Sequence, residues 1–320
     1  MEIREIQVGL LAFEDGMRAA LYGLSEFFET ATVLCSQLEL GVKFECRALL
    51  VSGRDLPGMG NVALSSWHGK LDTLVIPPRR QRPGSQTTPA RVVAWLQEQH
   101  QSGTVMCSAC VGSFVLADCG LLDGRRATTH WLAADAFREA YPKVELIEES
   151  ILLDEGDIIT AGGVTAWLDL ALRLVARFAG PTLAARLGKY YLVDTGMREQ
   201  RYYRSFIPCL NHGDEEVLKA QHYIARHYTE ELHHARLAQV SGLGLRSFQR
   251  RFLKVTGETP SAYLRKYRLQ QACDQLEVSR KTVDQIGWDI GYEDASAFRR
   301  VFKQEIGLTP TAYRKRFAQG

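Results

Sequence analysis

The stretch LAQVSGLGLRSFQRRFLKVTGETP, residues 237–260, has a second version further along, IGWDIGYEDASAFRRVFKQEIGLTP, residues 286–310. Phe248, Phe252, Gly257, Pro260 and Tyr263 are matched, fifty residues on, by Phe298, Phe302, Gly307, Pro310 and Tyr313. Phenylalanines four apart lie on one face of a helix and call for a core beneath it. The glycine then breaks that helix, and Thr-Pro starts the next with proline in the first turn, where its missing N–H is not needed. A short helix precedes each phenylalanine pair, ending near Val240 and Asp289, with turns at Ser241-Gly242 and Gly291.

What remains outside the apolar stripe is basic and polar: Arg246, Gln249, Arg250 and Arg251 in one copy, Ser296, Arg299, Arg300 and Lys303 in the other. One such hairpin could be any solvated pair of helices. Two, with the same turn glycine and the same stop, read as tandem helix-turn-helix motifs, each with a second helix placed to enter a major groove. Charge follows the same division. From Glu215 onward there are 18 Lys and Arg against 12 Asp and Glu, whereas the whole chain is only +2. A segment that neutralises phosphates needs that polarity.

Residues 219–317 resemble the DNA-binding domain of the AraC-type transcription regulators. The resemblance rests on L-A…R-x-F-x-R-x-F…G-x-x-P-x-x-Y in the first copy and I-x-x-x-x-G-Y…F-x-R-x-F-K…G-x-T-P-x-x-Y-R in the second. Gly244 departs where that family places a capping Ser, and Gly287 where it places Ala. The resemblance implies double-stranded DNA as partner, with Arg246, Gln249 and Arg250 reading bases from one helix and Ser296, Arg299 and Arg300 from the other. Arginine suits guanine and glutamine suits adenine. Arg251, Lys254, Lys303, Arg314, Lys315 and Arg316 are expected on phosphates.

The first 190 or so residues read differently. Apolar runs at Ile6 to Phe13, Phe44 to Val51, Leu71 to Ile76 and Gly103 to Cys107 alternate with helical spacing at Met17 to Thr30 and Pro89 to Gln101, so the expected fold is an α/β parallel-sheet sandwich. Val164 to Phe178 reads as a further helix. Glu145 to Ile151 and Ile158 to Thr160 read as a strand pair around Asp154-Glu155-Gly156-Asp157. In GTVMCSACVGSFVLADCGLLDGRRATTHW, residues 103–131, a strand runs into a small-residue turn and an apolar helix from Ser113 to Asp118. Such an elbow presents Cys110, and the end of a strand at Thr128 to Trp131 would bring His130 to the same rim. Three readings compete for these residues: nucleophile and base, a pocket for an anionic metabolite with Val111 and Gly112, or a buried thiol and a core histidine.

Residues 5–190 resemble the ThiJ/PfpI-like (flavodoxin-like, glutamine-amidotransferase-like) domain in the GlxA-type form joined to AraC-type DNA-binding domains. C-x-G-S-F-V-L-A at Cys110 to Ala117, G-L-L-D-G-R-R-A-T-T-H-W at Gly120 to Trp131 and D-E-G-D-I-I-T-A-G-G at Asp154 to Gly163 carry it. Enzymatic relatives support the cysteine with a histidine and an acid just after the first strand. Here Met17-Arg18-Ala19 occupies that place, only Glu14 and Asp15 lie near, and Val111 stands where protease-like relatives have histidine. The resemblance therefore implies a sensor: Cys110, Val111, Gly112, His130, Glu14 and Asp15 around a small effector, which relatives suggest is nitrogen-containing. The rival reading is a hydrolase or amidotransferase-like enzyme using Cys110.

The expected organisation is a sensing and dimerising domain over residues 1–191, a linker over 192–214 with Arg198, Arg201 and Arg204 solvated, and the DNA-binding domain over 215–320, its first helix capped near Asp214. Pro77 to Ser85 reads as a loop that could offer arginine to the pocket. No cofactor is expected. Cys107 and Cys110 form a C-x-x-C, but no second pair stands at zinc spacing, so no metal is expected and redox sensing is the remaining alternative for Cys110. Seven scattered cysteines read as reduced thiols. No apolar run of membrane length occurs, so a cytoplasmic chain, homodimeric and meeting RNA polymerase if it activates, is the expectation.

Overall fold

In the computed structural model, which describes residues 3–51, 55–80, 87–194 and 198–318, the first apolar run forms strand β1 (Arg4–Ala12). Alternation sorts its side chains: Ile6, Val8, Leu10 and Ala12 enter one core and Leu11 joins the other, so the strand is buried on both faces. Helix α1 (Arg18–Gln37) returns the chain to β2 (Val42–Leu50), parallel to β1 with Arg4 opposite Val42 and Ala12 opposite Leu50. There follow β3 (Asn61–Ala63), β4 (Thr73–Ile76), α2 (Ala90–Gln101), β5 (Val105–Ala109), α3 (Ser113–Asp118), β6 (Arg126–Ala127), α4 (Ala134–Ala140), β7 (Glu145–Leu146), β8 (Leu152–Asp154), β9 (Ile158–Ala161), α5 (Trp167–Ala179) and α6 (Pro181–Tyr190). Among the described residues the sheet has seven strands in the order β3-β2-β1-β4-β5-β9-β8. From β1 the chain adds β2 and β3 on one side and then crosses to add β4 and β5 on the other, which makes the carboxyl ends of β1 and β4 a topological switch point.

The sheet is parallel apart from β8, which runs antiparallel to β9 at the edge across the expected turn. Two expectations are corrected. The partner of β9 is Leu152–Asp154, while Glu145–Leu146 pairs with β6 in a separate ribbon. The strand expected to end at His130 stops at Ala127. Thr128 and Thr129 spend their hydroxyls on Ser150 and Cys110 carbonyls instead of continuing a ladder. Helix α5 packs Leu170, Ala171, Leu174 and Val175 into its own sheet.

The units part between Gln200 and Arg201, inside the span read as linker. That span is not loose. Glu199 bridges to Ser150, and Gln200 is 3% exposed. Gly196 and residues 81–85 of the Pro77–Ser85 loop lie outside the described residues.

The second unit is helical: α7 (Glu215–His227), α8 (His234–Val240), α9 (Leu245–Thr256), α10 (Pro260–Val278), α11 (Val283–Asp289), α12 (Ala295–Ile306) and α13 (Pro310–Phe317). Asp214 caps α7 by accepting from Val217 N at 3.1 Å. The repeat persists in three dimensions. Phe252 meets Tyr263 edge-on at 5.2 Å, and Phe302 meets Tyr313 edge-on at 5.6 Å. Gly257 and Gly307 end α9 and α12 in the left-handed region, and Thr259 and Thr309 cap α10 and α13. Leu237 and Ile286 fill equivalent core positions, so the second turn is one residue longer than the first. A β-carbon at Gly287 would lie 3.0 Å from the Phe298 ring, which accounts for glycine there.

Helix α10 belongs to both copies, with Tyr263 in the first core and Leu269, Ala272 and Leu276 in the second. Arg268, on the same helix, donates to the carbonyls of Tyr228 at 2.6 Å and Glu230 at 2.8 Å and lies over Tyr292. It holds the loop of one copy against the turn of the other.

Candidate nucleic-acid interface and elbow site

Helix α9 carries exposed Arg246 and Arg250 one turn apart, and α12 carries exposed Ser296, Arg300 and Lys303 along the equivalent face. Arg246, Arg250, Arg300 and Lys303 have no ion-pair or hydrogen-bond partner among the described residues. The other basic and polar positions are occupied. Gln249 bonds His234 at 3.0 Å, Arg299 pairs with Asp284, and Arg251 closes a two-point pair with Asp214 at 2.7 and 2.9 Å. Arg251 thus ties the reading helix to the cap of α7. Asp294 caps α12 through Ser296 N and Ala297 N, at 2.8 and 3.1 Å, while Gly244 leaves α9 without a side-chain cap.

In the first unit, Cys110 stands directly after β5 with φ +56°, a left-handed conformation costly to any residue with a β-carbon. Its carbonyl is held from two sides, by Ser113 Oγ and Thr129 Oγ1, each at 3.1 Å. Gly112 makes the close approach possible, since a β-carbon there would sit 2.7 Å from the Ile76 carbonyl. The thiol is 5% exposed, and burial pushes its pKa up to about 11, with the Val111 N–H pulling weakly the other way. Burial pushes the His130 imidazole down, and its Nδ1 accepts from Leu132 N at 3.1 Å. A nucleophile–base pair would shift in the opposite directions, towards thiolate and imidazolium. Both groups are neutral near pH 7.

Two family models match this chain, "Helix-turn-helix domain" over residues 237–316 and "DJ-1/PfpI family" over residues 61–177. The Pseudomonas aeruginosa HTH-type transcriptional regulator ArgR is 30% identical over 263 residues, which take in 81% of this chain and 77% of that protein. The chain belongs to the AraC-type transcriptional regulators. It is of the kind that carries a DJ-1/PfpI unit ahead of the helix-turn-helix. A second regulator of this type from the same organism, CdhR, is 32% identical over 70% of this chain, which spans 66% of that relative's length. A crystal structure from Vibrio parahaemolyticus superposes along its whole length on 59% of this chain with TM-score 0.51 at 23% identity, a likeness of fold.

Within this AraC-type chain the expected effector residues separate. Glu14 lines a cavity of about 270 Å³ together with Ala12, Phe13, Gly16, Arg18, Leu21, Leu50 and Leu56. Cys110, Val111, Gly112 and His130 are not among its lining residues. Asp15 is engaged by Arg79, whose Nε lies 3.0 and 3.1 Å from the two carboxylate oxygens and whose guanidinium covers Phe13. Arg79 of the Pro77–Ser85 loop thus pairs with the protein's own carboxylate.

Sequence reasoning missed Gln200. Its Nε2 lies within 3.1 Å of Thr128 Oγ1 and the carbonyls of Thr129, Glu148 and Ser150, and its Oε1 accepts from Trp131 N at 3.3 Å. This one side chain fills the recess behind the Thr-Thr-His segment, so close to Gly162 that a β-carbon there would strike it at 2.0 Å. No local pattern marks a glutamine in an aperiodic stretch as buried. Gln200→Ala strands several buried carbonyls and is expected to cost the first unit about 2 kcal/mol, measurable by urea denaturation.

Among the described residues no group of His, Cys, Asp or Glu could hold a metal ion, and no helix is long and apolar enough to cross a membrane. All seven cysteines are free thiols.

Proposed function

We propose that this chain is a cytoplasmic, sequence-specific DNA-binding regulator of transcription whose first unit senses a small metabolite and does no chemistry. The observation that carries the reading is the pair of exposed stripes, Arg246–Arg250 and Ser296–Arg300–Lys303, holding unpaired cations at equivalent places on two repeated helices. Unpaired cations on a helix face stay solvated until phosphates or guanine edges replace the water. The Arg268 clamp fixes the two readers to one another, so both present to one DNA segment. Binding should therefore weaken steeply with salt, and titration of a selected duplex at several salt concentrations tests it. A salt-independent affinity would contradict it.

The proposed absence of turnover is supported by the elbow's electrostatics. With its pKa pushed up to about 11 by burial, the Cys110 thiol stays protonated at pH 7. Peptide mapping after iodoacetamide treatment should find exposed Cys209 modified first, and Cys110 labelling should rise about tenfold per pH unit from pH 8 to pH 10. Rapid labelling of Cys110 at pH 7 would instead favour an enzyme or a redox sensor. A promoter reporter with purified RNA polymerase separates activation from repression, and sedimentation tests the homodimer.

A further inference from the structure

On α9, Gln249 lies between Phe248, which is in the core, and the exposed Arg250, and is itself half-buried. Its Nε2 is 3.0 Å from His234 Nδ1, and His234 Nε2 is 2.6 Å from Ser261 Oγ. An amide nitrogen can only donate, so Nδ1 accepts, the ring proton sits on Nε2, and that N–H donates to Ser261. Three helices meet in this relay. His234 opens α8, Gln249 is in the middle of α9, and Ser261 follows Pro260 in the first turn of α10.

The second copy repeats the arrangement with other chemistry. Arg299 stands fifty residues on from Gln249 and is paired with Asp284 in the first turn of α11. In each motif the first turn of the supporting helix therefore holds the same position of the reading helix, while Arg250 and Arg300, next along, are exposed. For Gln249 the tether decides which hydrogen bonds remain. A primary amide has two N–H donors and one carbonyl acceptor, so with one N–H given to His234 it keeps one of each. That set matches adenine in the major groove, whose N7 accepts and whose N6 amino group donates. Guanine presents two acceptors there, N7 and O6, and would call for both N–H groups. A side chain already held also loses less rotamer freedom on binding.

We propose that His234 is a positioning residue for base readout: by holding one N–H of Gln249 it sets the first reader to prefer adenine over guanine at one base pair. The proposal rests on the DNA-binding reading above and gives the supporting helix a part in specificity. Removing the imidazole acceptor frees the second N–H of Gln249, so guanine becomes an acceptable partner and adenine loses its advantage. Asparagine at 234 restores a side-chain acceptor, whereas leucine fills similar space without one.

The test starts from a duplex selected by the full chain from random DNA, with affinity measured on that duplex and on every single-base-pair substitution of it. At one base pair the parent should favour adenine over guanine by about tenfold or more, and Gln249→Ala should remove that preference. His234→Leu should lower the same ratio by about fivefold or more, leaving the other base pairs and the unfolding transition as in the parent. His234→Asn should keep the ratio. In the Gln249→Ala background, His234→Leu should change nothing further. The proposal is overturned if no adenine preference depends on Gln249, or if His234→Leu keeps the ratio or weakens binding to all sequences alike. It is equally overturned if the asparagine variant behaves as the leucine variant, or if leucine acts as strongly without Gln249. A chain that selects a sequence but fails these comparisons refutes the role of His234 alone. One that selects no sequence refutes the regulator reading.

Discussion

Replacing Arg250 and Arg300 together by alanine is expected to weaken binding to the operator by a factor on the order of a thousand, with each arginine contributing about 1–3 kcal/mol. The two lie on separate helices at equivalent faces, are exposed, and have no partner within the protein, so their losses should add. The slope of log affinity against log salt should fall by about 2 if both face phosphates, and less if they read guanine. Lysine at both positions separates the cases. It keeps the charge and the salt slope but lacks the planar fork, so affinity for the selected sequence should fall while non-specific affinity stays. A loss below threefold in the alanine variant would mean that these helices do not carry the reading face.

Gly291→Ala is expected to cost the second unit about 2–5 kcal/mol and to abolish tight DNA binding without touching any reading side chain. Gly291 has φ +87°, and its β-carbon would lie 2.4 Å from the Thr229 carbonyl oxygen and 2.9 Å from the Arg268 guanidinium. Relief of that clash must push the first copy's loop away from the second copy's turn, the junction Arg268 holds. Gly242→Ala, in the first copy's turn, is the internal control. Its φ is +66° but the nearest atom is 3.7 Å away, so it should pay only the backbone strain of about 1–2 kcal/mol. Urea unfolding of both variants, with affinity measured in parallel, gives the comparison.

The repeat was legible because it is local. The four-residue spacing of Phe248 and Phe252, the glycine stop and the Thr-Pro start are set within a dozen residues, and the structure keeps them in both copies. The elbow was legible for the same reason, with α3 spanning Ser113–Asp118 as its apolar run suggested. What the sequence withheld depends on partners far along the chain. Arg251 looked like Arg250 until Asp214 took it, and Asp15 looked available until Arg79, 64 residues away, closed on it. Thr128 and Thr129 resemble a strand but bind carbonyls. Gln200, the most heavily bonded side chain of the site, carries no periodic signal at all.

Two linked readers are proposed to act on one duplex. Hydroxyl-radical footprinting of the full chain on a site selected from random DNA tests that most directly. Two protected patches on one face of the duplex, separated by about one helical turn of 10–10.5 base pairs, are the expected result. A single protected patch, or protection that leaves the second patch unchanged when Arg300 is replaced by alanine, would contradict it.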